Sequence, residues 1–186
     1  GNRDFLYYIN ETGDTNYTWG ELFHELFRPG EKLAEEIDRK RKEIGRPYIS
    51  AVFRFQNLLG DFKEYSYAAL DSDEMRQALI NKCKSGLLDL QKQYPDIPIL
   101  VTSDSTTFIK EASCLSDVHI IEGKRVHMGC NAEADYDTYL KSFVDFFMLA
   151  GSERVFSLGT SEMYPTEFPM YAAKVNGVPF ERVLLK

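Results

Sequence analysis

Short apolar segments alternate with longer amphipathic segments over most of the 186-residue chain. The first two apolar segments, ISAVF at 49–53 and IPILV at 97–101, are predicted strands. The stretch between them has apolar residues at helical spacing, is capped by Asp71 or Ser72, and runs to about Tyr94. Strands that alternate with helices indicate β-α-β units. We therefore predict an α/β fold, a three-layer Rossmann-like domain with a parallel sheet of about five strands.

The same alternation continues to the end of the chain. After the second strand, the sequence predicts a short helix and strand, then a long amphipathic helix and strand, and then a last helix and strand. Their sequences are, in order, TTFIKEAS, DVHII, DYDTYLKSFVDFFMLAGS, RVFSLGT, a segment near 165–175, and FERVLL.

The first 44 residues are predicted to precede this domain. Residues 1–18 look irregular, whereas 19–27 and 31–44 have helical patterns that are separated by a Pro-Gly break. Thr18 and Glu21 have the spacing of a capping box at the first of these helices. We therefore assign an irregular N-terminus and helical linker to 1–44 and the Rossmann-like domain to 45–186.

Composition excludes several classes of function. The net charge of −7 disfavours nucleic acid and anionic membranes as partners. No apolar run is long enough for a membrane helix, and the first residues lack the pattern of a signal peptide, so we expect a cytoplasmic protein. Cys83, Cys114 and Cys130 are an odd number of cysteines, which predicts reduced thiols. His119, His127 and Cys130 lack the spacing of a zinc site, so no metal is expected.

Polar residues follow three of the predicted strands at their carboxyl ends. These residues are Arg54 with its loop, TSDS at 102–105, and SLGTSE at 157–162. In open parallel sheets, ligands bind beyond the carboxyl ends of the strands. The three segments therefore predict a shared ligand site at one edge of the sheet.

An arginine and a hydroxyl-rich turn at such an edge suit an anionic ligand. Arg54 has a guanidinium that can hold a phosphate with two parallel charge-assisted bonds. Thr160 and Ser161 lead towards a helix, where their hydroxyls and backbone N–H groups, helped by the helix dipole, would cradle a phosphate or simply cap that helix. The sequence has neither a Walker GxxxxGK[ST] motif nor GxGxxG, so it signals neither a nucleotide hydrolase nor a dinucleotide oxidoreductase.

Asp145 stands among aromatic and apolar residues in the sequence KSFVDFFMLAGS. On an amphipathic helix, such a carboxylate usually lies on the solvent side. A carboxylate in this place can also accept two bonds from a guanine base, at N1–H and N2–H. The helical period favours the first interpretation, and both fit the sequence.

Three segments together resemble the motifs of the fucosyltransferase superfamily: AVFRFQNLLGDFKE, LVTSDS and VDFFMLAGSERVFSLGTSE. The resemblance covers about 45–175, and the motifs have the same order. It implies a GDP-fucose donor site without a metal ion or other cofactor. By that resemblance, Arg54 matches the arginine that holds the β-phosphate of GDP, and Asp104 matches the acidic residue of the family's TSD turn. Asp145 matches the aspartate that reads guanine, and Ser161 matches a phosphate-binding serine.

The chain also departs from the family pattern. Val52 replaces the histidine of the family's His-x-Arg motif, and the Gly-rich GGxGNQ loop of the N-terminal half is absent from this sequence. The chain therefore resembles only the C-terminal, donor-binding half of a two-domain GT-B transferase. An inverting transfer needs a general base, for which Asp61 and Glu64 are candidates, although solvated loop carboxylates have the same pattern.

Two hypotheses follow from the sequence. The chain is either the GDP-fucose-binding domain of an inverting fucosyltransferase-like glycosyltransferase, or a stand-alone module that binds a nucleotide, a sugar or a partner without catalysis. For the transferase, the sequence does not identify the acceptor.

Overall fold

A parallel sheet forms the centre of the computed structural model, which describes residues 2–61, 68–123 and 136–186. The described residues form five strands in the spatial order β3-β2-β1-β4-β5, and every neighbouring pair is parallel. This arrangement confirms the predicted α/β class and the five-stranded parallel sheet. The strands are β1 (Ile49–Phe53), β2 (Ile99–Ser103), β3 (Val118–Ile120), β4 (Val155–Gly159) and β5 (Phe180–Leu184).

Seven helices lie within the described residues, and two of them begin at caps that the sequence predicts. Ser72 caps the fourth helix, because its hydroxyl accepts a bond from the Met75 N–H at 3.3 Å. Thr18 and Glu21 form both bonds of a capping box at the second helix. The helices are α1 (Asn2–Gly13), α2 (Trp19–Leu26), α3 (Glu31–Ile44), α4 (Asp73–Gln93), α5 (Thr106–Ala112), α6 (Tyr136–Ala150) and α7 (Phe168–Val175).

The N-terminal segment differs from the sequence prediction. We expected irregular structure over 1–18, but Asn2–Gly13 form helix α1. The aromatic side chains of α1 are largely exposed, with Phe5 at 61% and Tyr8 at 62%. Because this helix does not bury its apolar residues, a pattern based on burial gives little indication of it.

Alternate residues of the central strands pack on two different layers of helices. Ile49, Ala51 and Phe53 of β1 belong to the main core cluster, which also contains Leu87 of α4 and Phe108 of α5. Successive side chains of a strand point to opposite faces of the sheet. The layer of α4 and α5 therefore covers one face of the sheet. The side chains that alternate with Ile49, Ala51 and Phe53 point towards the other layer.

The opposite face is covered by α3, α6 and α7. Tyr48 and Leu100 pack with Val144 and Met148 of α6 in one buried cluster. Val52 belongs to a second cluster, together with Leu149, Val155, Ala172 and Ala173. The sheet is thus the middle layer of three, as predicted.

Helix α6 leaves part of its aromatic stripe outside the core; the stripe consists of residues at helical spacing, Tyr136, Tyr139, Phe143 and Phe147. Tyr136 and Phe143 are exposed, whereas Val144 and Met148 are fully buried. The aliphatic residues pack against the sheet, so part of the aromatic stripe is left at the edge of the helix layer.

The cysteines that the structure describes are free thiols. Cys83 is buried and Cys114 is exposed, and neither forms a disulfide. Burial raises the pKa of the Cys83 thiol to about 12. Cys130 lies outside the described residues, so its state stays a prediction. In the part of the chain that the structure describes, we find no helix with the length and hydropathy needed to cross a membrane.

Tyr48 joins the start of β1 to α6 and provides a test of this packing. Its buried hydroxyl donates a bond of 2.6 Å to the Met148 carbonyl. Burial is the main cause that raises the pKa of Tyr48 from 10.0 to about 12. Because the pKa is higher in the folded state, the contribution of Tyr48 to stability is complete below about pH 10 and is lost as the pH rises towards 12.

We predict that wild-type protein loses about 1 kcal/mol more stability than Tyr48→Phe between pH 8 and pH 10.5. At pH 8, the variant should be less stable by about 1 kcal/mol, because it lacks the hydrogen bond. Urea unfolding of both proteins at the two pH values measures this difference. Equal losses of stability with pH would contradict the burial of a neutral Tyr48 hydroxyl.

Candidate functional site

The carboxyl ends of β1, β2 and β4 lie side by side at one edge of the sheet. Phe53 of β1 is paired with Ser103 of β2, and Val52 of β1 is paired with Ser157 of β4. All three strands are parallel, so the segments that follow them leave the sheet at the same edge. The shared edge that the sequence predicted is therefore confirmed, and we call the segments 54–61, 103–107 and 159–163 the rim.

The Asp104 carboxylate connects two of the three rim segments. Its Oδ1 accepts a bond from the Phe55 N–H at 2.9 Å, and its Oδ2 accepts one from the Gln56 N–H at 2.7 Å. The Arg54 Nη1 lies 3.0 Å from the same Oδ2. Three successive residues after β1 are thus held by one side chain that follows β2.

This ion pair is partly shielded from solvent. The side chain of Asp104 is 4% exposed and that of Arg54 is 21% exposed. Burial raises the pKa of Asp104, and the positive charge of Arg54 and the two N–H donors act against that increase. These three donors therefore offset part of the cost of an ionised carboxylate in this place, and the guanidinium retains some exposure at the rim.

The backbone of Gln56 makes this arrangement possible. Its φ is +52°, in the left-handed region that residues other than glycine seldom adopt. Gln56 is itself buried, and its unusual conformation lies directly beside the Asp104 carboxylate. Strained backbone of this kind persists where the surrounding bonds hold it in place. The sequence gives no signal for this conformation, because the residue is neither glycine nor asparagine.

Asp61, a predicted candidate for a general base, lies at the other end of the first rim segment. Its Oδ2 accepts a bond from the Ser105 hydroxyl at 2.9 Å and one from the Thr107 N–H at 2.7 Å. Ser105 is the N-cap of α5 and also accepts a bond from the Phe108 N–H at 3.0 Å. Asp61 thus fastens the segment after β1 to the start of α5. Its catalytic role stays a prediction, and Glu64 lies outside the described residues.

The Thr160–Ser161 turn is at the rim, but it does not begin a helix. The Thr160 hydroxyl accepts a bond from the Glu162 N–H at 3.3 Å, and the Thr160 carbonyl accepts one from the Met163 N–H at 3.2 Å. Helix α7 starts only at Phe168, and its N-cap is Glu167. The expected support from a helix dipole is therefore wrong, and so is the alternative in which Thr160 or Ser161 caps that helix. Thr160 is buried and Ser161 is exposed.

Asp145 forms an ion pair with Lys141, one turn earlier on α6. The Lys141 Nζ donates a short bond to Asp145 Oδ2. The side chains are 6% exposed for Lys141 and 13% exposed for Asp145, so Asp145 is not the solvent-facing residue that the helical period favoured. Lys141 was not among the residues predicted from the sequence, although a lysine and an aspartate at i and i+4 on one helix have the spacing of an ion pair.

Arg54 and Asp145 belong to the same side of the sheet. Phe53 and Phe55 both pack in the cluster formed with α4 and α5. Arg54 stands between them and follows Val52, which packs against α6 and α7. The alternation of the strand therefore assigns Arg54 to the layer that contains α6 and its Asp145.

The described residues show no group of three or more histidine, cysteine or acidic side chains that would hold a metal ion. Of the sequence set His119, His127 and Cys130, the last two lie outside the described ranges.

The fold is that of the fucosyltransferases. No protein-family model matches this sequence, and no curated protein matches it either. Several solved structures do match this chain. The structure of the fucosyltransferase NodZ from Bradyrhizobium aligns with a TM-score of 0.53 and 12% identity, over 82% of this chain and 44% of that chain. The apo form of POFUT1 has a TM-score of 0.51 and 9% identity over 88% of this chain and 49% of that one. A crystal of NodZ α-1,6-fucosyltransferase soaked with GDP-fucose aligns with a TM-score of 0.49 and 14% identity, over 80% and 43% of the two chains.

The chain spans less than half the length of these matched structures, and it matches the C-terminal part of them. At this level of identity the likeness establishes the fold. The fucosyltransferase-like fold predicted from the three motifs is thereby confirmed.

We predict that Asp104→Asn destabilises the protein by about 2–4 kcal/mol. The amide loses the ion pair with Arg54 and offers only one oxygen to the two N–H donors, so a buried donor is left unsatisfied. The matched control is Asp73→Asn, whose bond to Arg76 is exposed and should contribute little. Urea unfolding measures both variants. If the two substitutions have equal and small effects, Asp104 does not hold the rim together.

Proposed function

We propose that this chain is the GDP-sugar-binding domain of a fucosyltransferase-like glycosyltransferase, with GDP-fucose as the donor. The observation that carries the proposal is the position of Arg54. This arginine matches the family's phosphate-binding arginine in sequence, follows a central strand of a fucosyltransferase-like fold, and is held at the rim by Asp104.

The diphosphate of the donor would bind between Arg54 and the Thr160–Ser161 turn. Arg54 lies after β1 and the turn lies after β4, and these strands are neighbours in the sheet. Arg54 offers charge-assisted N–H donors, while the exposed Ser161 offers a hydroxyl without a helix dipole behind it. Arg54 would thus be the cationic group for the diphosphate in this chain of net charge −7.

Asp145 would bind the guanine base. It lies on α6, on the side of the sheet to which the strand alternation assigns Arg54. A carboxylate has two acceptor oxygens, and guanine presents two adjacent donors, N1–H and N2–H. The ion pair with Lys141 keeps a negative charge favourable on this largely buried carboxylate.

Catalysis would require a general base near the sugar. Asp61 is exposed, but its Oδ2 already accepts two bonds from the region of α5, which suits a positioning role. Glu64 is the other candidate from the sequence, and it lies outside the described residues. The acceptor would be a glycan or another hydroxyl compound, and the cytoplasmic location expected from the sequence stays a prediction.

A second candidate function is a nucleotide-sugar-binding module without catalysis. Val52, at the position of the family's histidine, is buried in an apolar cluster with Leu149 and Val155. No polar side chain therefore reaches the donor from that position. The two functions differ in one assay: the transferase, but not the binding module, would release GDP from GDP-fucose in the presence of an acceptor.

We predict that GDP binds to the wild-type protein. Arg54→Ala should lower the affinity for both GDP and ADP by about 10–100-fold, if ADP binds at all. The loss is equal for the two nucleotides because the phosphates are common to both. Asp145→Asn should weaken GDP selectively, because an amide cannot offer two acceptors to the guanine edge. Titration calorimetry with GDP, ADP and UDP measures these affinities.

Two exposed residues provide matched controls. Arg39→Ala and Asp89→Asn alter the same residue types on the outer surfaces of α3 and α4, and both should leave GDP affinity unchanged. Absence of any preference for guanine nucleotides at millimolar concentration would refute the donor site. If GDP binds and Asp145→Asn has no effect, only the assignment of the base contact fails.

A further inference from the structure

Lys141 is a buried cation, and the phosphate site at the rim does not account for it. Its side chain is 6% exposed, and lysine is among the residues that are least often buried without a partner. The described partner is Asp145 on the next turn of the same helix. A buried ion pair is often no more stable than apolar residues of the same volume, so stability alone is a weak reason for this one.

The position of Lys141 is fixed by a close approach to the segment after β3. A Cβ added at Gly123 would lie 3.1–3.2 Å from the Cβ, Cγ and Cδ atoms of Lys141. Gly123 also has a φ of +140°, which strongly favours glycine. The lysine side chain thus packs against backbone three residues beyond the carboxyl end of β3, on the ligand-binding edge of the sheet.

We propose that Lys141 and Asp145 together form the guanine-specificity site, with Lys141 donating to O6 while Asp145 accepts from N1–H and N2–H. This inference rests on the proposed function. The Lys141 ammonium has three N–H donors, of which one is directed to Asp145 Oδ2. In a coplanar pairing, the carboxylate oxygen that accepts N1–H lies beside O6, so a cation on that oxygen lies within reach of O6 as well.

The same pair would reject adenine. At the corresponding positions, adenine presents an amino group and an unprotonated N1. Lys141 would then face a donor, and Asp145 would face an acceptor. Mismatched polar groups in a shielded site cost free energy because they lose their bonds to water without replacement. One ion pair thus supplies both the attraction for guanine and the repulsion of adenine.

The wild-type protein provides the first test, with 6-thio-GDP as the probe. Sulfur is a weak acceptor, so replacement of O6 should reduce affinity about tenfold relative to GDP if Lys141 donates to that position. IDP, which lacks the N2 amino group, should also bind more weakly because Asp145 loses one donor. Calorimetry with GDP, 6-thio-GDP and IDP measures these ratios. Equal affinity for GDP and 6-thio-GDP would overturn the contact to O6.

The second test is the variant Lys141→Met, which keeps the length of the side chain and removes its donors. GDP should bind at least about tenfold more weakly, and the ratio of GDP to 6-thio-GDP affinity should fall to about one. If Lys141 only supports the fold, its substitution should weaken the binding of both ligands equally. The ratio of GDP to 6-thio-GDP affinity would then be unchanged. Lys92→Met, on an exposed pair of α4, is the control and should change neither value.

The outcomes separate this inference from the function on which it rests. If wild-type protein binds no GDP, the donor site fails and the specificity site fails with it. If GDP binds and Arg54→Ala weakens it, but the 6-thio ratio is the same in wild type and Lys141→Met, only the role of Lys141 is wrong. If circular dichroism shows that Lys141→Met is unfolded, the comparison of GDP with 6-thio-GDP in wild-type protein decides alone.

Discussion

The rim depends on one buried carboxylate. Asp104 follows β2, yet its bonds reach the N–H groups of Phe55 and Gln56 and the guanidinium of Arg54, all of which follow β1. Two strand ends are therefore joined through a side chain rather than through the sheet. Burial disfavours the charge on Asp104, and three donors offset part of that cost, so the ion pair and the conformation of the loop stabilise each other. Asp61 makes the reciprocal connection, from the end of the same loop to α5.

The sequence allowed most of the fold to be predicted because the relevant signals are local. Ser72 and Thr18 cap helices through bonds within their own turn, and strand–helix alternation is sufficient for a parallel sheet. The shared edge followed from the parallel arrangement alone. Arg54 could be identified as a candidate because an arginine after a buried strand is chemically conspicuous, and the motif resemblance added to that observation.

Other features depend on contacts that a linear pattern does not encode. The exposed aromatic residues of α1 give no burial signal, so an irregular segment was expected where a helix forms. Thr160 and Ser161 resembled a helix cap, but α7 begins at Phe168 and the hydroxyl of Thr160 stabilises a local turn instead. The bonds of Asp61 likewise depend on Ser105 and Thr107, which become its neighbours only in the folded chain. Polar residues of the site were thus easier to locate than to assign.

The central claim is that the rim binds a guanine nucleotide through Arg54 and α6. A crystal structure of this protein grown with GDP tests it most directly. We predict that the diphosphate lies within hydrogen-bonding distance of Arg54 and Ser161, and that the base edge lies against Asp145 and Lys141. GDP bound elsewhere on the protein, or bound at the rim with its base directed away from α6, would contradict the account.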